Sequence, residues 1–132
     1  MKTQQQQDEE LQQWIDEIKE QQPVIIVEGK KDQAALEALG IKNIILLSKK
    51  PMQSIVEGIV KRNKENKGIL ILTDFDKKGK ELAQQLRRDF LNEGIIADKT
   101  SRRWLRRNTR VSHIEGLYRY KENLRKSDSK SF

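Results

Sequence analysis

Acidic side chains follow two buried apolar runs of the sequence, at the point where each run ends. Glu28 comes directly after Val24–Val27, and Asp74 and Asp76 come after Ile69–Leu72. If the two runs are neighbouring strands of an open parallel sheet, their carboxyl ends meet at one edge and the carboxylates converge. Hard carboxylate oxygens suit Mg²⁺, with Mn²⁺ as the alternative, and bound Mg²⁺ usually also contacts phosphate. The sequence therefore predicts a metal site formed by these three carboxylates.

The residues beside the carboxylates fit this chemistry. Alternate residues that leave a strand point the same way, so Asp74 and Asp76 can face one cation while Phe75 turns back toward the protein. Gly29 leaves space for a metal or phosphate beside the first carboxylate, and Gly79 can open the next helix without a side chain in the way. An isolated Asp-x-Asp is more commonly a solvated turn. Its place at a strand end, with a second acidic motif at another, makes the metal interpretation specific.

The two motifs together resemble those of the Toprim domain, the catalytic module shared by topoisomerases, bacterial primases, some nucleases and the ribonuclease that matures 5S ribosomal RNA. The resemblance covers about residues 24–97 and rests on Glu28, Gly29, Asp32, Asp74, Asp76 and Gly79. It implies that Glu28 is the general acid or base and that Asp74 and Asp76 hold magnesium. Asp32 would help to position these residues without contacting the metal itself. Capping of a helix N terminus is an equally good interpretation of Asp32.

Within that family, the sequence is most similar to the 5S ribosomal RNA maturation nuclease and to small stand-alone, archaeal-type Toprim proteins. Topoisomerases carry a further acidic residue two positions beyond the second aspartate, where this chain has Lys78. The sequence therefore argues against topoisomerase chemistry.

Apolar spacing divides the chain into alternating helices and strands. The predicted strands are Val24–Val27, Asn43–Leu47, Ile69–Leu72 and Ile95–Ala97. Helices are predicted from residue 8 to Pro23 and over residues 32–39, 55–60, 82–90 and 101–111, whereas residues 1–7 and 121–132 are expected to be disordered or ragged. This alternation predicts an α/β fold: a doubly wound, mostly parallel, Rossmann-like sheet of four strands with helices on both faces. An N-terminal helix (1–23) and a basic helical segment (98–132) flank the predicted Toprim core (24–97).

The positive charge is concentrated at the C-terminal end of the sequence. The net charge is +7, and residues 98–132 supply the whole excess. If residues 101–111 form a helix, its arginines occupy one arc of about 140° while Trp104 lies on the opposite side. These arginines are Arg102, Arg103, Arg106, Arg107 and Arg110. A solvated basic tail is the alternative, but clustered guanidinium groups repel each other and phosphate recognition gives a reason to gather them.

Other cationic and polar groups lie near the predicted site. Four lysines flank the acidic strand ends, where they could contact phosphate or balance the local charge. They are Lys30, Lys31, Lys77 and Lys78, and Lys49 and Lys50 could reach the same edge. The one histidine, His113, could donate to a scissile phosphate, although a lone histidine beside an apolar helix is more often a packing or surface residue.

Composition narrows the protein class further. The chain contains no cysteine, and no run approaches the roughly 18 apolar residues of a membrane span. We therefore expect a cytoplasmic protein without disulfides or membrane partners.

The leading hypothesis is a magnesium-dependent Toprim nuclease acting on structured RNA, of the ribosomal RNA processing type, with RNA favoured over DNA. The alternative is a non-catalytic nucleic-acid or ribonucleoprotein binding module that retains the metal site. A phosphatase-like hydrolase with Asp74 as nucleophile ranks below both, because Lys78 stands where that class has a hydroxyl residue.

Overall fold

The computed structural model describes residues 1–63, 65 and 67–129, with side chains described as far as residue 126. The strands are β1 (Val24–Val27), β2 (Ile44–Leu46) and β3 (Ile69–Ile71). The helices are α1 (Gln4–Gln21), α2 (Lys30–Ala38), α3 (Met52–Arg62), α4 (Lys77–Asn92), α5 (Thr100–Asn108) and α6 (Leu117–Ser129). A short 3₁₀ turn, Ile114–Gly116, precedes α6.

The strands form a parallel sheet in the order β2-β1-β3. β1 lies in the centre and is buried on both faces, which explains why its sequence is continuously apolar rather than alternating. Ile26 of β1 pairs with Ile71 of β3, so the two strands end side by side. The predicted α/β architecture is confirmed, and its topology brings together the strand ends that carry the acidic motifs.

Helices cover both faces of this sheet, because successive strand residues point to opposite sides. Ile25 and Val27 belong to a core that also contains the apolar residues of α1, α2, α5 and α6. Ile26 and Ile71 belong to a second core, formed with α3 and α4.

The predicted fourth strand, Ile95–Ala97, is wrong. This segment makes only an isolated bridge from Leu70 to Asp98, where the Asp98 N–H donates to the Ile69 carbonyl at 2.8 Å. Ile96 is 86% exposed, so the segment lacks the two-sided burial that sustains a strand in this sheet. These apolar residues belong to a loop that contacts the edge of β3 through a single bridge.

The N-terminal leader, predicted to be disordered, is largely helical. Thr3 Oγ1 accepts a hydrogen bond from the Gln6 N–H at 3.1 Å, and the Gln6 side chain accepts one from the Thr3 N–H at 2.9 Å. This reciprocal capping box begins α1 four residues earlier than the apolar stripe indicates, since caps satisfy backbone donors that the stripe ignores.

The C-terminal tail, predicted to be ragged, continues as α6 to Ser129, and residues 130–132 lie outside the described residues. A half-buried contact between Lys121 Nζ and Asp8 Oδ1, at 2.6 Å, ties this helix to α1. Of the helices in the described part of the chain, none combines the length and apolar character that crossing a bilayer requires.

Candidate metal and nucleic-acid site

The acidic motifs meet at the carboxyl edge of the sheet. Glu28 follows β1 and Asp74 lies just beyond β3, and because the two strands are neighbours, Glu28 Oε2 accepts a hydrogen bond from the Asp74 N–H at 2.8 Å. The bond joins residues that are 46 positions apart in the chain. The convergence expected from two strand ends is therefore a direct contact in the structure.

Backbone donors hold both aspartates of the second motif. Asp74 Oδ1 accepts from the Ile114 N–H at 2.9 Å. Asp76 Oδ1 accepts from the Gly79 N–H at 2.7 Å and so caps the N terminus of α4. Each aspartate thus uses one oxygen to fix its own position, which leaves the second oxygen to face a cation. The phenyl ring of Phe75, between them, packs against the first core.

Gly79 is required by the close approach of this loop to α4. A Cβ at this position would overlap the backbone carbonyl of Asp74. The Thr73 hydroxyl donates to the Gly79 carbonyl at 2.6 Å, which holds the same approach from the strand side. The predicted role of Gly79, an opening turn without a side chain, thus has a steric cause in the structure.

Gly29 differs from Gly79. Its φ is −153°, which any residue adopts, and a Cβ there would meet no protein atom within 4 Å. The absence of a side chain therefore leaves open space beside Glu28. Asp32, 6% exposed, accepts from the Gly29 N–H at 3.1 Å and stabilises the first turn of α2, so the helix-cap interpretation fits its geometry.

The group that sequence reasoning assigned no ligand role is His113. Donor atoms of Asp74, Asp76 and His113 all lie within 4.8 Å of one another, and His113 Nε2 is 3.6 Å from Asp76 Oδ2. The Ser112 hydroxyl lies 2.9 Å from His113 Nδ1 and orients the ring. When Nδ1 carries the proton and donates to Ser112, Nε2 presents a lone pair toward the aspartates. The one feature of the sequence that could have drawn attention to this residue is that His113 is the single histidine of the chain.

This donor set fits a divalent cation. Two carboxylates and an imidazole suit Mn²⁺ and other first-row metals, and the carboxylates alone suit Mg²⁺. Glu28 lies outside the group of three in the described residues, although it adjoins Asp74. The structure therefore adds His113 as a candidate ligand beside the two aspartates, and the assignment of Glu28 as a metal ligand stays a prediction.

Negative charge is concentrated at this edge. Burial raises the pKa of Glu28, the Asp74 N–H opposes that shift, and the carboxylates of Asp74 and Asp76 add to it. Burial also raises the pKa of Asp32, with a further contribution from the charge of Asp74. Carboxylates that repel each other in this way lose the repulsion when a cation binds among them.

Arg102 does not lie on the predicted cationic face. It is 8% exposed, and its Nε and Nη2 donate to the carbonyls of Thr73 at 3.1 Å and Asp74 at 2.6 Å. The guanidinium also lies over the Phe75 ring, 5.3 Å from its centroid. At about 100° per residue, Arg102 shares an inward arc with Leu105, which is fully buried. Arg102 lies at the edge of the predicted arginine arc, and this edge of α5 is buried against the core, so the Arg102 side chain is buried with it.

The other four arginines of the predicted face are exposed, and within the described residues none of their guanidinium groups donates a hydrogen bond or forms an ion pair. They are Arg103, Arg106 and Arg107 on α5, and Arg110. The predicted helix over residues 101–111 ends at Asn108, so Arg110 lies beyond it and does not share its face. The six lysines beside the acidic edge are exposed as well: Lys30, Lys31, Lys49, Lys50, Lys77 and Lys78. Through Arg102, the helix that carries the exposed arginines is bonded directly to the loop that carries the aspartates.

Comparison with known proteins agrees with this architecture. The family model of the Toprim domain matches residues 22–100. A UPF0292 protein of Methanocaldococcus jannaschii is 36% identical over 118 residues, which cover 85% of this chain and 90% of that protein. A UPF0292 protein of Methanosarcina acetivorans is 36% identical, with 94% of this chain and 86% of that protein covered.

A solved structure of a protein from Aquifex aeolicus superposes with a TM-score of 0.70 at 32% identity, covering 80% of this chain and 95% of that one. The matched residues 22–100 include both acidic motifs. The chain therefore belongs to the Toprim domain family, among proteins similar to the archaeal UPF0292 group.

Proposed function

We propose that this Toprim protein is a metal-dependent nuclease that cleaves phosphodiester bonds in structured RNA. The observation that carries the proposal is that the carboxylate site lies next to a helix with exposed arginines. A carboxylate site built at two strand ends is bonded, through Arg102, to a helix that exposes three arginines, with a fourth, Arg110, just beyond its end. The first feature suits phosphate chemistry and the second suits the phosphate backbone of a polyanion.

Asp74, Asp76 and His113 would hold the ion, Mg²⁺ or Mn²⁺. When bound, such an ion lowers the pKa of a coordinated water and polarises a phosphoryl oxygen. Glu28 adjoins this group and its Oε2 is held by the Asp74 N–H, so its carboxyl has a fixed position from which to exchange a proton with the attacking water or the leaving oxygen. The resemblance to Toprim enzymes assigns Glu28 the same task.

The exposed arginines of α5 would bind the RNA backbone. Arginine is weakly hydrated and presents a planar fork that matches phosphate, so a helix with several unpaired arginines favours phosphates over isolated carboxylates. Lys30, Lys31, Lys77 and Lys78 begin α2 and α4 beside the carboxylates, where they would contact phosphates next to the scissile bond. Shape and charge would then select a folded RNA.

Glu28→Gln tests the catalytic assignment, because glutamine keeps an oxygen to accept from the Asp74 N–H but cannot transfer the proton. We expect cleavage of a ribosomal RNA precursor to fall about 100-fold or more, with RNA affinity nearly unchanged. Glu37→Gln, which neutralises an exposed carboxylate elsewhere on α2, is the matched control and should cleave like the wild type. Equal rates for the two variants would remove Glu28 from catalysis.

The competing proposal is a binding module that retains the metal site. It predicts tight RNA binding without turnover of precursor ribosomal RNA, transfer RNA or duplex DNA, in Mg²⁺, Mn²⁺ or chelator. Calorimetry with Mn²⁺ separates the site from the activity: Asp74→Asn with Asp76→Asn should abolish binding, and His113→Ala should weaken it. Unchanged Mn²⁺ binding in the double variant would contradict the site under both proposals.

A further inference from the structure

A groove between α1 and α5 contains both tryptophans of the chain. Its volume is about 420 Å³, and it is lined by Trp14 of α1, Trp104 of α5 and polar residues of both helices. The two indole rings are stacked, with centroids 6.5 Å apart and planes 7° from parallel. Pockets of roughly 300–1,000 Å³ are typical of small-molecule sites, and paired aromatic planes are typical of sites for flat rings.

The groove adjoins the exposed arginines on the same helix. Trp104 lies opposite the centre of the predicted arginine arc, but at about 100° per residue it is only about 60° from Arg107 at the edge of that arc. Thr100, Arg103, Trp104 and Arg107 follow the spacing i, i+3, i+4, i+7, so they form one stripe along α5. Thr100 and Trp104 line the groove, while Arg103 and Arg107 are exposed beside it. Neighbours on such a stripe are about 5–6 Å apart between Cβ atoms. A nucleotide whose phosphate is bound by the arginines can therefore place its base against Trp104.

The opposite wall of the groove keeps phosphate away. Glu10 and Glu17 of α1 line it, and Lys2 neutralises only Glu10, at 2.7 Å. A nucleotide would therefore place its anionic backbone on the α5 side and only its neutral base between the helices. Charge complementarity thus fixes the orientation of the occupant.

Packing alone does not require tryptophan on α1. Trp14 is 7% exposed, and its Nε1 is a buried donor without a hydrogen-bond partner in the described residues. Burying an unpaired N–H costs free energy that a phenylalanine ring would not incur. The indole supplies instead a broad, rigid plane that supports Trp104.

We propose that this groove binds one unpaired nucleobase of the RNA, stacked at Trp104, while Arg103 and Arg107 hold its flanking phosphates. The inference rests on the proposed function and deepens it. It specifies the substrate class as folded RNA with an extruded nucleotide in a loop or bulge, the form in which RNA bases are open to stacking.

The test uses the full chain in chelator, so that no cleavage occurs, and two RNA hairpins. One hairpin carries a single-nucleotide bulge, and the other carries an abasic residue at the same place. Because both tryptophans lie in the groove, intrinsic fluorescence reports its occupancy. We expect the bulged hairpin to quench the fluorescence and to bind roughly 5- to 150-fold more tightly than the abasic one, the range for one base stacked on an aromatic ring.

Variants then assign the effect to the ring. Trp104→Leu should bind both hairpins with the affinity of the abasic one, and Trp104→Phe should retain part of the difference. Tyr118→Leu, which removes an aromatic residue that is 40% exposed on α6, should retain all of it. Because the two hairpins are compared on the wild-type protein, the test does not depend on the folding of any variant.

The outcomes separate this inference from the proposed function. Equal affinities for the two hairpins, with unchanged tryptophan fluorescence, would overturn the base site and leave RNA binding by the arginines intact. Failure of the wild type to bind either hairpin, at low salt, would overturn the proposed function together with the base site.

Discussion

Arg102 offers the sharpest test of how the site is held together. Methionine at this position preserves much of the volume of the side-chain stem but removes the guanidinium. The carbonyls of Thr73 and Asp74 would then lose their donors, now at 3.1 and 2.6 Å, and Phe75 would lose the cation at 5.3 Å. The change therefore acts on the aspartate loop, although it is made on α5.

The expected magnitude follows from these contacts. A buried acceptor left without a donor costs about 1–3 kcal/mol, and the lost cation–π contact adds about 1 kcal/mol. Burial also lowers the pKa of Arg102, which means that its charge is costly to bury, so its removal offsets part of the loss. We expect Arg102→Met to lower the free energy of unfolding by about 3 kcal/mol. For a urea m-value of about 2 kcal/mol/M, the midpoint falls by about 1.5 M.

The neighbouring Arg103 supplies a matched control, because it carries the same charge on the same helix but is exposed. Arg103→Met should change unfolding by less than about 0.5 kcal/mol. In the same pair of variants, Mn²⁺ affinity measured by calorimetry should fall about 10-fold or more for Arg102→Met alone, since the loop that carries Asp74 loses its anchor. If both variants unfold at the same urea concentration, Arg102 does not position the loop.

Three further predictions concern separate parts of the site. Gly79→Ala should destabilise the protein by about 1–3 kcal/mol in thermal unfolding and weaken Mn²⁺ binding, because its Cβ would overlap the Asp74 carbonyl; an unchanged melting temperature would contradict the close approach. Asp98→Ala should cost about 1 kcal/mol at pH 7, because Asp98 Oδ1 accepts from the Thr100 N–H at 2.8 Å. Burial opposes ionisation of Asp98, but its hydrogen bonds to Thr100 and Ser101 lower its pKa overall. The stabilisation should therefore be complete above the unfolded pKa of 3.8 and be lost as the pH falls through the lower folded value, and a gap in melting temperature that does not narrow as the pH falls below 3.8 would refute this. Replacing three exposed arginines of α5 with glutamine should reduce the slope of log affinity for RNA against log salt by about two to three units, whereas an unchanged slope would show that this face is only solvated. The three are Arg103, Arg106 and Arg107.

Local sequence patterns sufficed to predict the parts of the fold that depend on neighbours along the chain. Continuous apolar runs predicted β1 and β3, because a strand covered on both faces has no polar side. With a parallel topology assumed, the same runs predicted that Glu28 and Asp74 would meet, and the hydrogen bond between them has that origin. The prediction of a strand at Ile95–Ala97 was wrong because apolar residues form a buried strand only where other layers of the protein cover them, and Ile96 is exposed.

The sequence by itself determined which residues are acidic at the strand ends, where most of the helices lie, apart from the first turn of α1 and the C-terminal part of α6, and where the positive charge lies. Only the tertiary structure decided that Arg102 turns inward and that His113 joins the aspartates, which precede it by more than 30 positions. It also brought Trp14 and Trp104 into one groove. The physical reason is that periodicity fixes which residues share a helix face, whereas the packing of distant elements decides which edge of that face is buried. At the boundary of the arginine arc, two carbonyls and an aromatic ring outweighed the preference of a charged side chain for water.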